Sequence, residues 1–417
     1  MRESISVQSR CQNCNNGPLT DLLFLGFVPP VNSMVPIDNV QSELSSYSLS
    51  LCHCKSCLLT QIKSAPEMKA VFPYDYPYRS NMTQSLIANF EEQASAAFRL
   101  LNLKNDSLVV DIGSNDGSLL SYYSNFSKVV GVEPTIAAQD ALAKGITTLN
   151  AFFDEEICDS IIKEFGKADL VTACNVFAHI PDLTNLIKNI ENLLGENGVF
   201  ISESHHLDSL IETLQFDTIY HEHLRYYSIE FLVPFLNRHK LTVFRIDKIP
   251  THGGSIRIWA SKDSKILIDP SVDFFLNEEK KKMNCTLDGL QDFAKKTISW
   301  RHSFLKILME IRSNNKTVAG IGAPSRASTL TSYCGVTVDD VFAIGELANS
   351  DKIGRFMPGT RIPIVDERLL LLERPDYLLI FSWHIALPIM KSLVSQGFRG
   401  SFIIPLPVAK IITWSDI

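Results

Sequence analysis

The sequence predicts an α/β protein in three parts: a small cysteine-bearing N-terminal module over 1–71, a central doubly wound domain over 72–262, and a C-terminal Rossmann-like α/β domain over 263–417. Three observations carry this. Leu108 to Pro134 reads as strand, glycine-bearing turn, helix, second strand and acid. Lys316-Thr-Val-Ala-Gly-Ile-Gly322-Ala-Pro-Ser-Arg326 begins a second unit of the same kind. Two C-x2-C pairs precede both. Strands that alternate with helices build a parallel sheet covered on both faces.

Composition bounds the rest. At 417 residues the chain exceeds one ordinary core, so two or three domains are expected. Hydrophobic residues make up 45% and charged residues 20%, a globular balance. The net charge of −7 argues against nucleic acid as a partner. No apolar run reaches the roughly 20 residues that span a bilayer. The opening MRESISVQSR lacks the apolar core of a signal peptide, so no membrane partner and a cytoplasmic location are expected. In that compartment nine cysteines point to metal ligands and buried thiols rather than disulfides. Nothing in the sequence fixes an oligomeric state.

In the N-terminal module, Cys11-Gln-Asn-Cys14 and Cys54-Lys-Ser-Cys57 form two knuckles. Each places two thiolates on one side of a tight turn, and together they complete a tetrahedral S4 site for Zn²⁺. Four thiolates leave no open position, so the zinc is expected to be structural and to supply folding free energy. Cys52 lies beside the second knuckle but breaks its spacing. Between the knuckles, Leu25-Gly-Phe-Val-Pro-Pro-Val-Asn32 is turn-rich and carries no assignable chemistry.

The central domain opens with Tyr74, Tyr76 and Tyr78, whose alternation predicts three rings on one face of an extended segment. A helix over Gln84–Leu103 leads to the strand containing Leu108, Val109, Val110, Asp111 and Ile112. Gly113 permits a tight turn and close approach of backbone to ligand, and a helix starts at Ser118. The turn reads Gly113-Ser-Asn115-Asp116-Gly117 rather than G-x-G-x-x-G. A carboxylate there suits a sulfonium or an amino group better than phosphate. Glu133, followed by Pro134, ends the second strand, where a carboxylate can accept both hydroxyls of a ribose. Ala168–Cys174 predicts a buried strand ending at Asn175-Val-Phe-Ala-His179. Ligands bind outside the carboxyl ends of such strands, so Asn175 and His179 fall at the mouth of the same crevice. A helix over Leu183–Leu194 and a strand over Gly198–Glu203 continue the alternation.

Tyr220-His221-Glu222-His223 packs titratable groups densely. A metal site needs the i, i+4 spacing of H-E-x-x-H, which this run lacks. Structural histidines remain an alternative. Acid–base catalysis is the third reading, an imidazole near neutrality taking a proton from carbon.

Downstream, Leu241–Ile246 and Ile256–Ala260 predict strands flanking Thr251-His252-Gly253-Gly254-Ser255. The glycines allow either close approach to a ligand or a simple turn. Residues 277–282 read as a solvated helix face. A helix over Trp300–Arg312 and strands at Val341–Ile344, Leu378–Trp383 and Phe402–Pro405 complete the second α/β unit. Gly322-Ala-Pro-Ser is a partial dinucleotide fingerprint, and the N–H groups of its helix start could hold a pyrophosphate. Arg326, Lys352 and Arg355 are candidate phosphate contacts.

The turn at Gly113–Gly117 resembles the first motif of S-adenosylmethionine-dependent methyltransferases. Taken with the zinc knuckles, GVEP, NVFAHI, FDTIYHEH and THGGSIRIW, the chain resembles the sugar C-methyltransferases that methylate C-3 of nucleotide-linked 4-keto-deoxysugars. The resemblance implies S-adenosylmethionine as cofactor, held by Asp111, Gly113, Asn115, Asp116, Gly117, Glu133, Pro134 and Asn175. It implies His223 as the base, with Tyr220, Glu222, His179 and Tyr76 lining the reacting centre. Tyr78, His221, His252, Gly253, Gly254, Ser255, Arg326 and Lys352 are the candidate substrate contacts, and Cys11, Cys14, Cys54 and Cys57 match the family's zinc ligands. The family's lysine-bearing GA-A-K-G turn and its second-strand aspartate are here Ser325-Arg326 and Glu346. The alternatives are an O- or N-methyltransferase using the same base, and a NAD(P)-dependent sugar-nucleotide oxidoreductase built on the C-terminal turn.

Overall fold

The computed structural model describes residues 6–7, 9–39, 44–74, 76, 79–82 and 84–417. Its centre is a seven-stranded sheet in the order Thr242–Ile249, Ser255–Ser261, Leu194–His205, Ala168–Cys174, Leu108–Ile112, Lys128–Val132, Thr148–Leu149. The last five run parallel; the first two form an antiparallel edge. Every residue of Leu108–Ile112 is buried, as a strand covered on both faces requires. It lies next to Ala168–Cys174, so Gly113 and Asn175 emerge at neighbouring carboxyl ends, where the strand order reverses.

Helices cover both faces. Gln84–Leu101 buries Leu86, Phe90, Ala94 and Ala97, one stripe at helical spacing. Leu183–Leu193 buries Leu183, Leu186, Ile187 and Ile190, and starts where the Asp182 carboxylate accepts the Asn185 N–H at 3.0 Å. The helix expected from Ser118 is one turn only, Leu120–Tyr123.

The second α/β sheet has the order Ile364–Asp366, Ile344–Glu346, Val318–Ile321, Tyr377–Ile380, Ser401–Ile404, Lys410–Thr413. All pairs are parallel except the last. That antiparallel edge follows the strand expected to be final. The helix read over Trp300–Arg312 begins far earlier and runs Leu287–Ser313, because Thr286 caps it at the Gly289 N–H.

Residues 277–282 do belong to a helix, Ser271–Lys282, but its Glu279 is not solvated. It is 2% exposed, pairs with His206 at 2.7 Å and accepts the N–H groups of Ile229 and Glu230 at the start of the earlier helix Ile229–Arg238. Those unsatisfied N–H donors draw the carboxylate inward.

The N-terminal strands Thr20–Val28, Tyr47–His53 and Thr60–Ile62 form an antiparallel sheet whose fourth strand, Arg225–Tyr226, comes from just beyond the YHEH run. One apolar core joins Leu25, Leu49 and Leu51 of this module to Phe216 and Ile219, and onward to Trp300 and Leu330 of the C-terminal part. Val35–Pro36 also pairs with Arg355–Phe356 of the C-terminal part. Three sequence segments are therefore stitched around the loop that carries His223.

Candidate active site

The glycine turn is built from backbone that most residues avoid. Gly113, Asn115 and Gly117 have φ of 70°, 50° and 73°. A Cβ at Gly113 would stand 2.4 Å from Val176 Cγ2, so only glycine fits between this turn and the neighbouring strand end. The Asn115 N–H donates to Glu133 Oε2 at 3.0 Å, and Asn115 Oδ1 accepts the Ser80 N–H at 2.9 Å. Thr135 fills Glu133 Oε1 with two donors, at 2.9 and 2.6 Å. Oε2 therefore keeps acceptor capacity for a ribose hydroxyl, one rather than the two expected. Pro134 is half-buried beside it. Asn175, at φ 58°, completes the rim from the adjacent strand. An adenosyl group fits this cradle.

Two acids of the expected donor set are occupied within the protein. Asp116 is buried, accepts from Ser118 and pairs with Lys144 at 3.1 Å, so its charge is spent inside the turn. Asp111 accepts from Thr172 Oγ1 at 2.6 Å, and burial pushes its carboxyl up to about 7.

The YHEH loop carries the chemical centre. Tyr227 Oη donates to the Phe177 carbonyl, Arg225 to the Ile180 carbonyl, and the Leu224 N–H to the Ala178 carbonyl, which lashes this loop to the one bearing His179. The ring centroids of His223 and His179 are 5.0 Å apart, and Tyr220 lies against His223 at 4.2 Å. His223 Nδ1 stands 2.9 Å from the Thr218 carbonyl. A carbonyl can only accept, so Nδ1 carries the proton and Nε2 is the basic nitrogen. Burial, then the neighbouring His179, hold this imidazole neutral well below its ordinary pKa. Burial pulls His179 down to about 4.

Glu222 is 4% exposed and accepts from Tyr76 Oη at 2.9 Å and from Asn32 Nδ2 at 2.7 Å. Burial outweighs these bonds and raises its carboxyl to about 7. Lys352, whose Nζ donates to the Ala323 carbonyl at 2.7 Å, adds a cation facing Glu222 and Glu346; burial holds its pKa down.

The chain turns between Tyr74 and Tyr76, closed by the Tyr76 N–H on the Pro73 carbonyl, and these two rings do not share one face. Tyr76 reaches Glu222, whereas Tyr74 is 51% exposed and contacts Gln139 at 3.1 Å. Tyr78 lies outside the described residues.

Several expected substrate contacts face protein instead. His221 turns from His223 towards the N-terminal module, with Nε2 3.3 Å from the Ser48 carbonyl and its ring against Tyr47. Side chains two apart in this loop diverge, which separates the two histidines. Gly253 and Gly254 do permit close approach, but of Gln215 and Ser209: added Cβ atoms would meet them at 2.5 and 2.7 Å. Ser255 bonds the Thr251 carbonyl. Arg355 is exposed and bonds the backbone of Asp351 and Met34.

His252 and Arg326 lie side by side. Arg326 is 7% exposed and donates to the His252 carbonyl at 3.2 Å. Its guanidinium lies 5.4 Å over Trp383 and 3.8 Å from Asp217. Desolvation by neighbouring groups, and then this cation, pull His252 and His384 down to about 4.

Sequence reasoning missed Asn32, His205, Asp217, Trp383 and His384. His205 ends the Leu194–His205 strand, and its Nε2 is buried without a partner among the described residues. The carboxyl-end rule that flagged Asn175 would have found His205 and Trp383 had it been applied to every strand. No sequence signal marked Asn32.

The four cysteine sulfurs lie within 4.8 Å of one another, with Cys11–Cys57 and Cys14–Cys54 both at 3.5 Å. The edge of a tetrahedral Zn–S4 unit is about 3.8 Å. The knuckles match: Asn15 and Leu58 both have positive φ and both return an N–H to the first cysteine's carbonyl. The hydrogen bond with Cys11 pulls the Cys57 thiol below its ordinary range. Cys52 instead bonds the Gln61 carbonyl. A zinc ion is compatible with this donor set.

The chain is similar to known methyltransferases. Residues 78–244 match a methyltransferase domain family, and residues 250–407 match the C-methyltransferase C-terminal domain family. A C-methyltransferase of Streptomyces niveus, NovU, is 28% identical over 99% of both chains. Magnesium protoporphyrin IX methyltransferase of Synechocystis with bound S-adenosylmethionine is 15% identical, covering 43% of this chain and 81% of that one at a TM-score of 0.34. A methyltransferase of Clostridium acetobutylicum is 15% identical over 43% of this chain and 92% of that one, at 0.35. Those two scores are too low to bear on function. With the two domain families in tandem and a C-methyltransferase relative alike over its full length, the chain carries the domain pair of an S-adenosylmethionine-dependent C-methyltransferase.

Proposed function

We propose that this C-methyltransferase acts at C-3 of a nucleotide-linked 4-keto-6-deoxysugar, with His223 as the base. The observation that carries the proposal is the His223 imidazole, its Nδ1 proton committed to the Thr218 carbonyl and its Nε2 left basic. A proton on C-3 is acidic only because the adjacent ketone spreads the resulting charge onto oxygen. Nε2 takes that proton, and the Thr218 carbonyl keeps its bond to the imidazolium. Tyr220, packed on the ring, limits its rotation. In this reading the Glu222–Tyr76 pair and His179 hold the sugar and its enolate oxygen. Oriented donors at a developing oxyanion contribute about 3 kcal/mol each. S-adenosylmethionine, held at Gly113–Gly117, supplies the electrophilic methyl. The sugar class rests on the YHEH and HGGS resemblance.

In the same proposal the cysteine cluster binds one structural Zn²⁺, and His252, Arg326 and Lys352 contact the nucleotide-sugar. The test is incubation with S-adenosylmethionine and a panel of dTDP-, GDP-, CDP- and UDP-linked 4-keto-6-deoxysugars, read by mass spectrometry. One methyl increment with loss of a C-3 deuterium label supports C-methylation. A methyl gained with the label retained would mean O- or N-methylation, and no increment on any member would refute the sugar assignment.

A further inference from the structure

We propose that Asn32, carried by the N-terminal cysteine module, is a positioning residue of the reacting centre that holds Glu222 and Tyr76 in place beside His223. This rests on the reading of that centre given above. Asn32 Nδ2 reaches Tyr76 Oη at 3.1 Å and Glu222 Oε1 at 2.7 Å, and Tyr76 Oη donates to Glu222 Oε2 at 2.9 Å. The other side of the amide, Oδ1, accepts from Ser325 Oγ at 3.3 Å, at the start of a helix in the C-terminal sheet domain. This network fixes the amide orientation, since a flipped amide would set its oxygen against a carboxylate. One side chain thus joins three regions: the cysteine module, the YHEH loop and the C-terminal turn.

The segment that presents Asn32 is built to stay put. Pro29, Pro30 and Val31 are buried. The Ser33 N–H bonds the Pro30 carbonyl, and the Met34 N–H bonds that of Asn32 itself. Val35–Pro36 then pairs with Arg355–Phe356. Gly359, at φ 76°, lets Pro29 close in: a Cβ there would meet Ser332 Oγ at 2.5 Å and Pro29 at 3.2 Å. The strand Thr20–Val28 links this anchored turn to the first cysteine knuckle. The module therefore does more than fold itself; it delivers an amide to the carboxylate at the centre.

The experiment reads the Glu222 carboxyl by infrared difference spectroscopy, wild type minus Glu222→Gln, as a function of pH. The groups that act on this carboxyl are Tyr76, Asn32 and Lys352, whereas His179 bonds the Glu222 backbone and not the carboxyl. Removing a donor to the carboxylate favours the protonated form. In Asn32→Ala the protonation midpoint should therefore rise by about one pH unit. Ser325→Ala, which only frees the amide, should move it less in the same direction. An unchanged midpoint in folded Asn32→Ala overturns the proposal. Should the alanine variant not fold, the near-isosteric Asn32→Asp is read instead; a second carboxylate must raise the midpoint further, and no rise overturns it. Turnover separates this from the sugar reading. If wild type methylates no sugar in the panel, that reading fails while the infrared midpoint still decides Asn32. If wild type is active, Asn32→Ala should lose about 10- to 100-fold in kcat with adenosylmethionine affinity kept.

Discussion

The molecule contains the same strand–turn–helix start twice, at Gly113 and at Gly322, and uses the two differently. In both, an acid at the end of the next strand accepts an N–H from the turn: Glu133 from Asn115 at 3.0 Å, and Glu346 from Ala323 at 3.2 Å. The first turn has positive φ at three of its five residues and offers backbone towards a ligand. The second has positive φ only at Gly322 before Pro324, and offers side chains: Ser325 to Asn32, and Arg326 to the His252 carbonyl. In the proposed reading one turn cradles a cofactor, while the other braces a site assembled elsewhere. A shared fold motif does not settle which chemistry a turn performs.

The largest effect that would sharpen this contrast is Gly113→Ala. Positive φ and a 2.4 Å clash with Val176 should weaken S-adenosylhomocysteine binding by at least about 100-fold, measured by calorimetric titration. Next comes Glu222, where the second turn's network ends. Its pKa of about 7 in the fold lies above its ordinary value of 4.5. Its contribution to stability is therefore fully present below pH 4.5 and lost as pH rises through 7. Relative to wild type, Glu222→Gln should gain stability across that window, by up to about 3 kcal/mol, in denaturant titrations at pH 4.5 and 8. A difference independent of pH would contradict the raised carboxyl.

Arg326→Ala should raise KM for the nucleotide-sugar about 10- to 30-fold while donor affinity holds, and Arg326→Lys should restore only part, since a lysine cannot spread over Trp383 as the guanidinium does. The smallest effect is Gly322→Ala. The nearest atom to its added Cβ is Ser382 Oγ at 3.4 Å, so only backbone strain of about 1 kcal/mol is expected, seen as a slightly lower melting temperature with donor affinity unchanged. Equal losses from the two glycine variants would erase the distinction between the turns.

The same contrast explains what could be read from sequence. The first turn is local: strand, glycines and acid lie within about 25 consecutive residues, so spacing alone locates it. The knuckles are two local pieces whose chemistry demands a partner, so they too were legible. The centre around Glu222 is not local. Asn32, Tyr76, Glu222 and Ser325 converge from across the chain, and an asparagine after two prolines has no periodicity to betray it. The HGGS glycines misled for the opposite reason. Gly253 and Gly254 need close approach, but sequence cannot tell a ligand from Gln215 and Ser209. Glu279 escaped because a run of charges hides which member faces inward.

The central claim is that Nε2 of His223 removes a proton from carbon before any methyl moves. Exchange of the C-3 proton with deuterium oxide tests it directly, using the 4-keto-6-deoxysugar panel and S-adenosylhomocysteine in place of the donor so that methylation cannot occur. Wild type should wash deuterium into C-3 of its substrate, and His223→Ala should slow that exchange about 1000-fold while binding S-adenosylhomocysteine normally. Exchange at the wild-type rate in His223→Ala would place the base on another residue.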